Sequence, residues 1–132
     1  MTASAPASAR KKYSILIAED TKAYSNILKT KFIAENFDVV VVENGKLLFP
    51  ALEVHVPNII ILDLLMPEQD GFETLRLLKL HDKFKKIKVI VLTNLSQEED
   101  KQKCMDLGAE EVFIKSNTPL HEIVDKIKTH LK

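Results

Sequence analysis

Five side chains that could take part in chemistry each stand at the end of a short apolar run. They are Glu19 and Asp20 after S-I-L-I-A, Asp63 after I-I-I-L, Thr93 after V-I-V-L, and Lys115 after V-F-I. An apolar run this short is typical of a strand that is buried on both faces of a parallel sheet. Because a charge inside such a strand would be costly, we expect these side chains where the strands leave the sheet.

The carboxyl ends of parallel strands meet at one edge of an α/β sheet, which is where ligands bind. Three carboxylates brought together there repel one another, and at neutral pH they require a cation or a shared proton. Oxygen ligands alone favour Mg²⁺ or another hard divalent ion. A lysine and a hydroxyl that face the same point supply donors for phosphoryl oxygens. Asp63 could therefore act as a nucleophile toward a phosphoryl group, and the product would be an aspartyl phosphate.

The pattern of the chain predicts five strands that alternate with five helices. The predicted strands are 13–18, 38–42, 58–62, 88–92 and 112–114. The predicted helices are 24–35, 46–54, 72–80, one between a capping box at 96–99 and Gly108, and one that starts at Thr118 and Pro119. This alternation predicts an α/β fold with a parallel sheet, helices on both faces and right-handed crossovers.

Two predicted helices carry features that a structure can test. The buried face predicted for the first helix consists of Tyr24, Ile27, Leu28 and Phe32. Pro50 lies within the second predicted helix, and proline is tolerated only in the first turn, so this helix should start late, near Phe49, or be kinked. Cys104, on the fourth helix, is expected to be a packed small residue rather than a reactive thiol. Gly71 is expected to allow a positive φ in the loop after Asp63.

The composition argues against several classes of function. The 132 residues include 19 Lys plus Arg and 19 Asp plus Glu, so the net charge gives no electrostatic case for binding nucleic acid or an anionic membrane. The single cysteine excludes an internal disulfide and fits a reducing compartment. Without a membrane-spanning run or a signal peptide, the expected location is the cytoplasm. Residues 1–12 are predicted to be a disordered leader before one domain at 13–132.

Taken together and in order, these motifs resemble the receiver domain of two-component response regulators, in its single-domain, chemotaxis-regulator-like form. The resemblance rests on the acidic pair after the first strand, on D-L-L-M-P-E-Q-D-G at 63–71, on V-L-T at 91–93 and on G-A-E-E-V-F-I-K at 108–115. It covers residues 13–132. It implies a flavodoxin-like, doubly wound fold with five parallel strands in the order 2-1-3-4-5.

The resemblance also implies a role for each site residue. Asp63 would be the phosphoacceptor, and Thr93 and Lys115 would contact the phosphoryl oxygens. The metal ligands for Mg²⁺ would be Asp20, Asp63 and the backbone carbonyl of Leu65, while Glu19 would act mostly through a bound water. Transfer needs in-line geometry more than a strong base, so positioning and charge neutralisation would carry it.

The implied partners are proteins. A sensor histidine kinase or a phosphotransfer protein would supply the phosphoryl group, docking near the first helix and the loop 115–119. An unknown downstream protein would bind the face made by the fourth helix, fifth strand and fifth helix. The protein would be a monomer or a weak, phosphorylation-dependent dimer. It would be a phosphoacceptor rather than an enzyme, with at most assisted self-phosphorylation and autodephosphorylation.

Three positions depart from the family's usual pattern. Ser116 stands where the family commonly has a proline, and Val112 stands where it usually has an aromatic residue. Phe113 is adjacent to Val112 but is expected on the opposite face of the strand. Asn94 stands where a small residue is usual, and it could crowd the site or donate a hydrogen bond. The usual coupling between Thr93 and an aromatic residue is therefore not expected in its ordinary form.

Two other functions remain open from the sequence. The departures just described favour a phosphorylation-independent, receiver-like interaction module that keeps the pocket as a relic. A flavin-binding flavodoxin-like protein is a third possibility, but the chain has E-D-T-K-A after the first strand instead of a loop rich in Ser, Thr and Gly.

Leu65 and Leu95 are both apolar at positions that in this family influence the access of water, which predicts slow dephosphorylation.

Overall fold

The structure, a computed structural model, describes residues 12–66 and 69–131. The predicted leader lies outside the described residues except for Lys12. The strands are β1 (Ser14–Ala18), β2 (Asp38–Val42), β3 (Ile59–Leu62), β4 (Leu65–Met66), β5 (Gln69–Asp70), β6 (Lys88–Thr93) and β7 (Glu111–Ile114). The helices are α1 (Lys22–Ala34), α2 (Gly45–Val54), α3 (Gly71–Leu80), α4 (Glu98–Asp106) and α5 (Leu120–Leu131).

Five of the strands form one parallel sheet in the order β2-β1-β3-β6-β7. This order confirms the predicted flavodoxin-like α/β fold, because it is 2-1-3-4-5 when only the strands of this sheet are counted. The pairing places Leu62, the last residue of β3, between Ala18 of β1 and Val91 of β6. The strands therefore deliver the residues that follow them to a single edge.

Helices cover both faces of the sheet, and the alternation of side chains along each strand divides the core in two. On one face, Ile15 and Ile17 of β1 pack with buried residues of α1 and α5. On the other face, Leu16 and Ala18 pack with buried residues of α2, α3 and α4, including Cys104. The central strand β3 is buried along its whole length, as its continuous apolar run predicts.

The buried face of α1 differs in one position from the prediction. Leu28 and Phe32 are buried, but Ile27 is 53% exposed and Ser25 is buried in its place. Neighbouring residues on a helix point about 100° apart, so once Leu28 faces the sheet Ile27 turns toward solvent. Ser25 tolerates burial because its hydroxyl donates to the carbonyl oxygen of Lys22 at 3.1 Å.

The second helix starts earlier than its proline suggests. It begins at Gly45, and Pro50 lies inside it, so the first of the two predicted alternatives, a start near Phe49, is wrong. Asn44 supplies the N-cap, with its side chain accepting a hydrogen bond from the Leu47 N–H. Pro50 is exposed, so its ring lies on the side of the helix away from the sheet.

The predicted capping of α4 and α5 is right in part. Gln97 rather than Ser96 is the N-cap of α4, and it makes no side-chain capping bond, so the capping box is wrong. Gly108 follows this helix with a φ of 108°, as predicted for a residue in the left-handed region. α5 begins at Leu120, and the Thr118 hydroxyl donates to the carbonyl oxygen of Ile114 at 2.9 Å.

A hairpin of two short strands, each of two residues, replaces the loop predicted after the central strand. β4 and β5 are antiparallel, and Leu65 pairs with Asp70. The Asp70 side chain then caps α3 by accepting a hydrogen bond from the Phe72 N–H at 3.0 Å. Gly71 does not adopt the positive φ that the sequence suggested.

Candidate functional site

Three carboxylates meet at the carboxyl edge of the sheet. Glu19 and Asp20 follow β1 and Asp63 follows β3, and these two strands pair in register up to Ala18 and Leu62. One carboxylate oxygen from each of the three acidic residues lies within 4.8 Å of the others. Glu19 is 2% exposed and Asp63 is 4% exposed, so two of these charges are almost removed from water.

A single ammonium group joins two of the carboxylates. The Lys115 Nζ donates to Asp63 Oδ2 at 2.9 Å and also to Glu19 Oε1. β7 carries Lys115 here because it pairs with β6, and the Lys115 N–H continues the ladder by donating to the Thr93 carbonyl oxygen at 2.8 Å. The same ammonium lies 4.8 Å from the centre of the Tyr24 ring, a cation–π contact from α1.

Backbone N–H groups hold the remaining carboxylate oxygens. The Leu65 N–H donates to Asp63 Oδ1 at 3.1 Å, and the Thr21 N–H donates to Glu19 Oε2 at 2.9 Å. These bonds fix the rotation of both carboxylates, so each keeps one oxygen on the backbone and one on Lys115. Thr93, at the end of β6, is fully buried, and its hydroxyl oxygen accepts a hydrogen bond from the Leu95 N–H at 3.3 Å.

The charges in the site are not balanced. Burial lowers the pKa of Lys115, but its hydrogen bonds to Glu19 and Asp63 outweigh this effect, so the pKa is raised overall. Burial raises the pKa of Glu19; the bonds from Lys115 and the Thr21 N–H oppose this effect only in part, and the charge of Asp63 adds to it. Two buried carboxylates share one ammonium, so the group carries a net negative charge when both are ionised, and a further cation would neutralise it.

The donor set fits a hard divalent cation. Glu19, Asp20 and Asp63 offer carboxylate oxygens close enough to share one ion. Mg²⁺ prefers a few carboxylate ligands with waters in the other positions, and half-buried Asp20 leaves such positions open to solvent. The Glu43 carboxylate, which follows β2, is not part of this group. It is exposed and pairs with Lys22 at 3.9 Å.

The structure gives the contacts of the three residues that depart from the family pattern, Asn94, Val112 and Ser116. Asn94 is exposed, and its Oδ1 accepts a hydrogen bond from the Ser116 N–H, with 3.2 Å between the two atoms. Val112 packs against the core on the α2–α3–α4 face, whereas Phe113 packs on the α1–α5 face, as predicted. Every peptide bond within the described residues is trans, including the bond before Ser116.

Sequence reasoning missed two contacts in the site. Tyr24 was expected only as part of the buried face of α1, yet its ring lies beside the Lys115 ammonium. The bond between Asn94 and Ser116 was also missed, although each residue follows a site residue by one position. Asn94 lies one residue beyond the end of β6 and Ser116 lies two beyond the end of β7, and their contact depends on how these two loops meet.

The comparisons with known proteins agree with this geometry. Residues 15–128 match the family described as the response regulator receiver domain, and the chain belongs to that family. The transcriptional regulatory protein GltR of Pseudomonas aeruginosa is 30% identical over 119 residues, which make up 90% of this chain and 49% of that protein. The chain spans about half the length of the curated relatives it matches.

Solved structures of receiver domains share the fold. A signal receiver domain of a histidine kinase from Syntrophus aciditrophicus is 31% identical, with a TM-score of 0.81 over 89% of this chain and 88% of that one. The Mn²⁺-bound form of the response regulator Rcp1 is 27% identical, with a TM-score of 0.78 over 89% of this chain and 92% of that one. Among the helices of the described residues, none is long and apolar enough to cross a membrane.

Proposed function

We propose that this receiver domain accepts a phosphoryl group on Asp63 and signals through protein–protein contacts. The observation that carries the proposal is the geometry of Asp63: one carboxylate oxygen bonds the Lys115 ammonium and the other bonds the Leu65 N–H, beside Glu19 and Asp20. Asp63 is therefore a buried carboxylate at a strand end, with the Lys115 ammonium on one side and oxygens that could bind a metal ion on the other.

The phosphoryl group would come from a phosphohistidine on a sensor histidine kinase or a phosphotransfer protein. A carboxylate oxygen of Asp63 forms the new bond to phosphorus, the phosphorus–nitrogen bond of the donor breaks, and its electron pair returns to the imidazole. Lys115 and Thr93 donate to the phosphoryl oxygens as this happens, so charge neutralisation rather than a base drives the transfer.

A divalent cation, Mg²⁺, is part of the proposal. Asp20, Asp63 and the Leu65 carbonyl would bind it directly, and Glu19 would hold one of its waters. When bound, it neutralises the carboxylates and the incoming phosphoryl group. The Mn²⁺-bound form of Rcp1, one of the similar structures, supports a divalent cation in this protein.

The output is proposed to be a binding event without catalysis of its own beyond assisted self-phosphorylation and autodephosphorylation. The face of α4, β7 and α5 would bind the downstream protein, and the chain would act in the cytoplasm as a monomer or a weak dimer. The domain would span residues 13–132. This extends the range of the family match by a few residues at each end.

Beryllofluoride, which imitates a phosphoryl group on a carboxylate, tests the proposal. With Mg²⁺ and beryllofluoride, amide NMR shifts should appear around Asp63, Thr93 and Lys115 in the wild type. The isosteric Asp63→Asn variant should show none of them. Shifts of equal size in both proteins would show that the ligand binds elsewhere.

A second candidate is an interaction module that does not depend on phosphorylation. The positions of Asn94, Val112 and Ser116 favour it, because they remove the family's usual means of reporting the state of the site. The same NMR experiment separates the two functions. A wild type that does not respond to Mg²⁺ and beryllofluoride would favour this second candidate, and shifts that reach α4 and Val112 would favour a working switch.

A further inference from the structure

Two of the departures from the family pattern are in contact with each other. Asn94 follows Thr93 at the end of β6, and Ser116 follows Lys115 after β7. The Ser116 N–H donates to Asn94 Oδ1 at 3.2 Å. Because a backbone N–H can only donate, the oxygen end of the Asn94 amide must face Ser116, which fixes the orientation of the side chain.

This bond extends the pairing of β6 and β7 past the end of the sheet. The Lys115 N–H donates to the Thr93 carbonyl oxygen at 2.8 Å, and the next N–H along the chain donates to the side chain that follows Thr93. A proline at position 116 has no N–H, and a small residue at position 94 has no acceptor. The bond therefore requires a side-chain acceptor at position 94, which Asn94 supplies, and a residue other than proline at position 116.

The bond lies next to the residue whose position matters most for the site. The loop that follows Lys115 also folds back on Ile114, the residue before it. The Ile114 carbonyl oxygen accepts from the Asn117 N–H at 3.0 Å and from the Thr118 hydroxyl at 2.9 Å. A lysine side chain has much rotational freedom, so the position of its Cα limits where the ammonium can go. Asn94 and Ser116 also line a cleft of about 270 Å³ beside Lys115.

We propose that the hydrogen bond between Ser116 and Asn94 is a latch that positions Lys115 on Asp63. Asn94 is then a positioning residue, because it acts through the backbone of Ser116. The proline that is usual in the family at position 116 could not make this bond, and this inference rests on the proposed function of Asp63. Its effect is on how well the site holds a phosphoryl group, while the metal ligands stay in place.

Substitutions at the two ends of the latch test it. Ser116→Pro removes the N–H, Ser116→Ala keeps it and serves as the matched control, and Asn94→Ala removes the acceptor. We expect Ser116→Pro and Asn94→Ala each to weaken beryllofluoride binding about three- to tenfold, the effect of one lost hydrogen bond. Ser116→Ala should stay within about twofold of the wild type. The double variant Asn94→Ala, Ser116→Pro should bind no more weakly than the weaker single variant, because both remove the same bond.

Two further readouts separate positioning from general damage. Mg²⁺ affinity, measured without beryllofluoride, should not fall in Asn94→Ala or Ser116→Pro, because Lys115 is not a metal ligand. The ¹⁵N-edited signal of the Lys115 ammonium, which is protected by Glu19 and Asp63 in the wild type, should broaden in both variants and stay sharp in Ser116→Ala.

Four results would overturn the latch. The first is that Asn94→Ala and Ser116→Pro bind beryllofluoride as tightly as the wild type, and the second is that Ser116→Ala loses as much affinity for it as Ser116→Pro does. The third is that the losses of affinity add up in the double variant, and the fourth is that Mg²⁺ affinity falls in parallel. If the wild type itself does not bind beryllofluoride, the proposed function fails. The latch is then decided by the Lys115 ammonium signal, and an unchanged signal in Asn94→Ala refutes it.

Discussion

Glu19 is buried beside Asp63, and this burial makes the stability of the protein depend on pH. Lys115 bonds both carboxylates, and both are nearly removed from water. Burial raises the pKa of Glu19, so the folded protein holds a proton there at pH values where the unfolded chain has released it. Ionising Glu19 therefore favours the unfolded state.

We predict that, without Mg²⁺, the Glu19 contribution to the free energy of unfolding falls as the pH rises above 4.5, the ordinary pKa of this carboxyl. The fall ends once Glu19 is ionised in the folded state as well. Glu19→Gln cannot ionise and should lose this part of the profile. Urea unfolding over a series of pH values measures it, with exposed Glu43→Gln as the control that keeps the wild-type profile. Identical profiles for Glu19→Gln and the wild type would contradict the prediction.

The lifetime of the aspartyl phosphate depends on residues near Asp63 that could orient a water molecule. Leu65 is 54% exposed and Leu95 is half-buried, and neither side chain can form a hydrogen bond to a water molecule. We predict slow dephosphorylation, and we expect Leu95→Glu to shorten the half-life about tenfold by supplying a carboxylate. Loss of label from the phosphorylated protein measures the rate, with Leu80→Glu on α3 as the control. A half-life in Leu95→Glu at least as long as in the wild type would refute this explanation.

At the scale of elements, the β4–β5 hairpin anchors the chain just after Asp63. The Gly71 N–H donates to the Leu64 carbonyl oxygen at 3.2 Å, which brings the start of α3 against this segment. A Cβ on Gly71 would lie 2.3 Å from the Leu64 Cα, a distance that no packed side chain tolerates. The glycine is needed for this close approach rather than for a left-handed backbone.

We predict that Gly71→Ala lowers the free energy of unfolding by about 2–3 kcal/mol, because backbone atoms must move to admit the methyl group. The backbone of Leu64, next to Asp63, is among the atoms that must move, so beryllofluoride binding should weaken as well. Chemical denaturation and NMR titration measure the two effects. Glu73→Ala, an exposed change on the same helix, should alter stability by less than about 1 kcal/mol. Wild-type stability in Gly71→Ala would show that the segment adjusts freely.

At the scale of the whole molecule, the fold and the main site residues could be predicted because one rule governs both. Parallel strands end at the same edge, so the polar residues that follow apolar runs must meet there, as Asp63 and Lys115 do. Contacts that depend on the exact packing of neighbouring elements could not be predicted. The exposure of Ile27 follows from how α1 rotates on the sheet, and the bond between Asn94 and Ser116 follows from how two loops meet.

The packing of α4 on the sheet makes a further prediction. Cys104 is fully buried, and burial raises the pKa of its thiol to about 11. Because the thiolate is the reactive form, a thiol reagent at neutral pH should modify the folded protein at least about a hundredfold more slowly than the unfolded chain. Met105→Cys in a Cys104→Ser background places a thiol at the next, 45% exposed position, and it should react fast. Equal rates for the two positions would refute tight packing of α4.

Cys104 also gives this protein an internal probe of α4 that needs no engineered label. It is the single cysteine of the chain, so any covalent adduct reports one known position. When opening of the helix is fast compared with modification, the rate of adduct formation measures the free energy of lifting α4 from the sheet. Comparing that rate with and without beryllofluoride would quantify, by mass spectrometry alone, how strongly events at Asp63 are coupled to this helix.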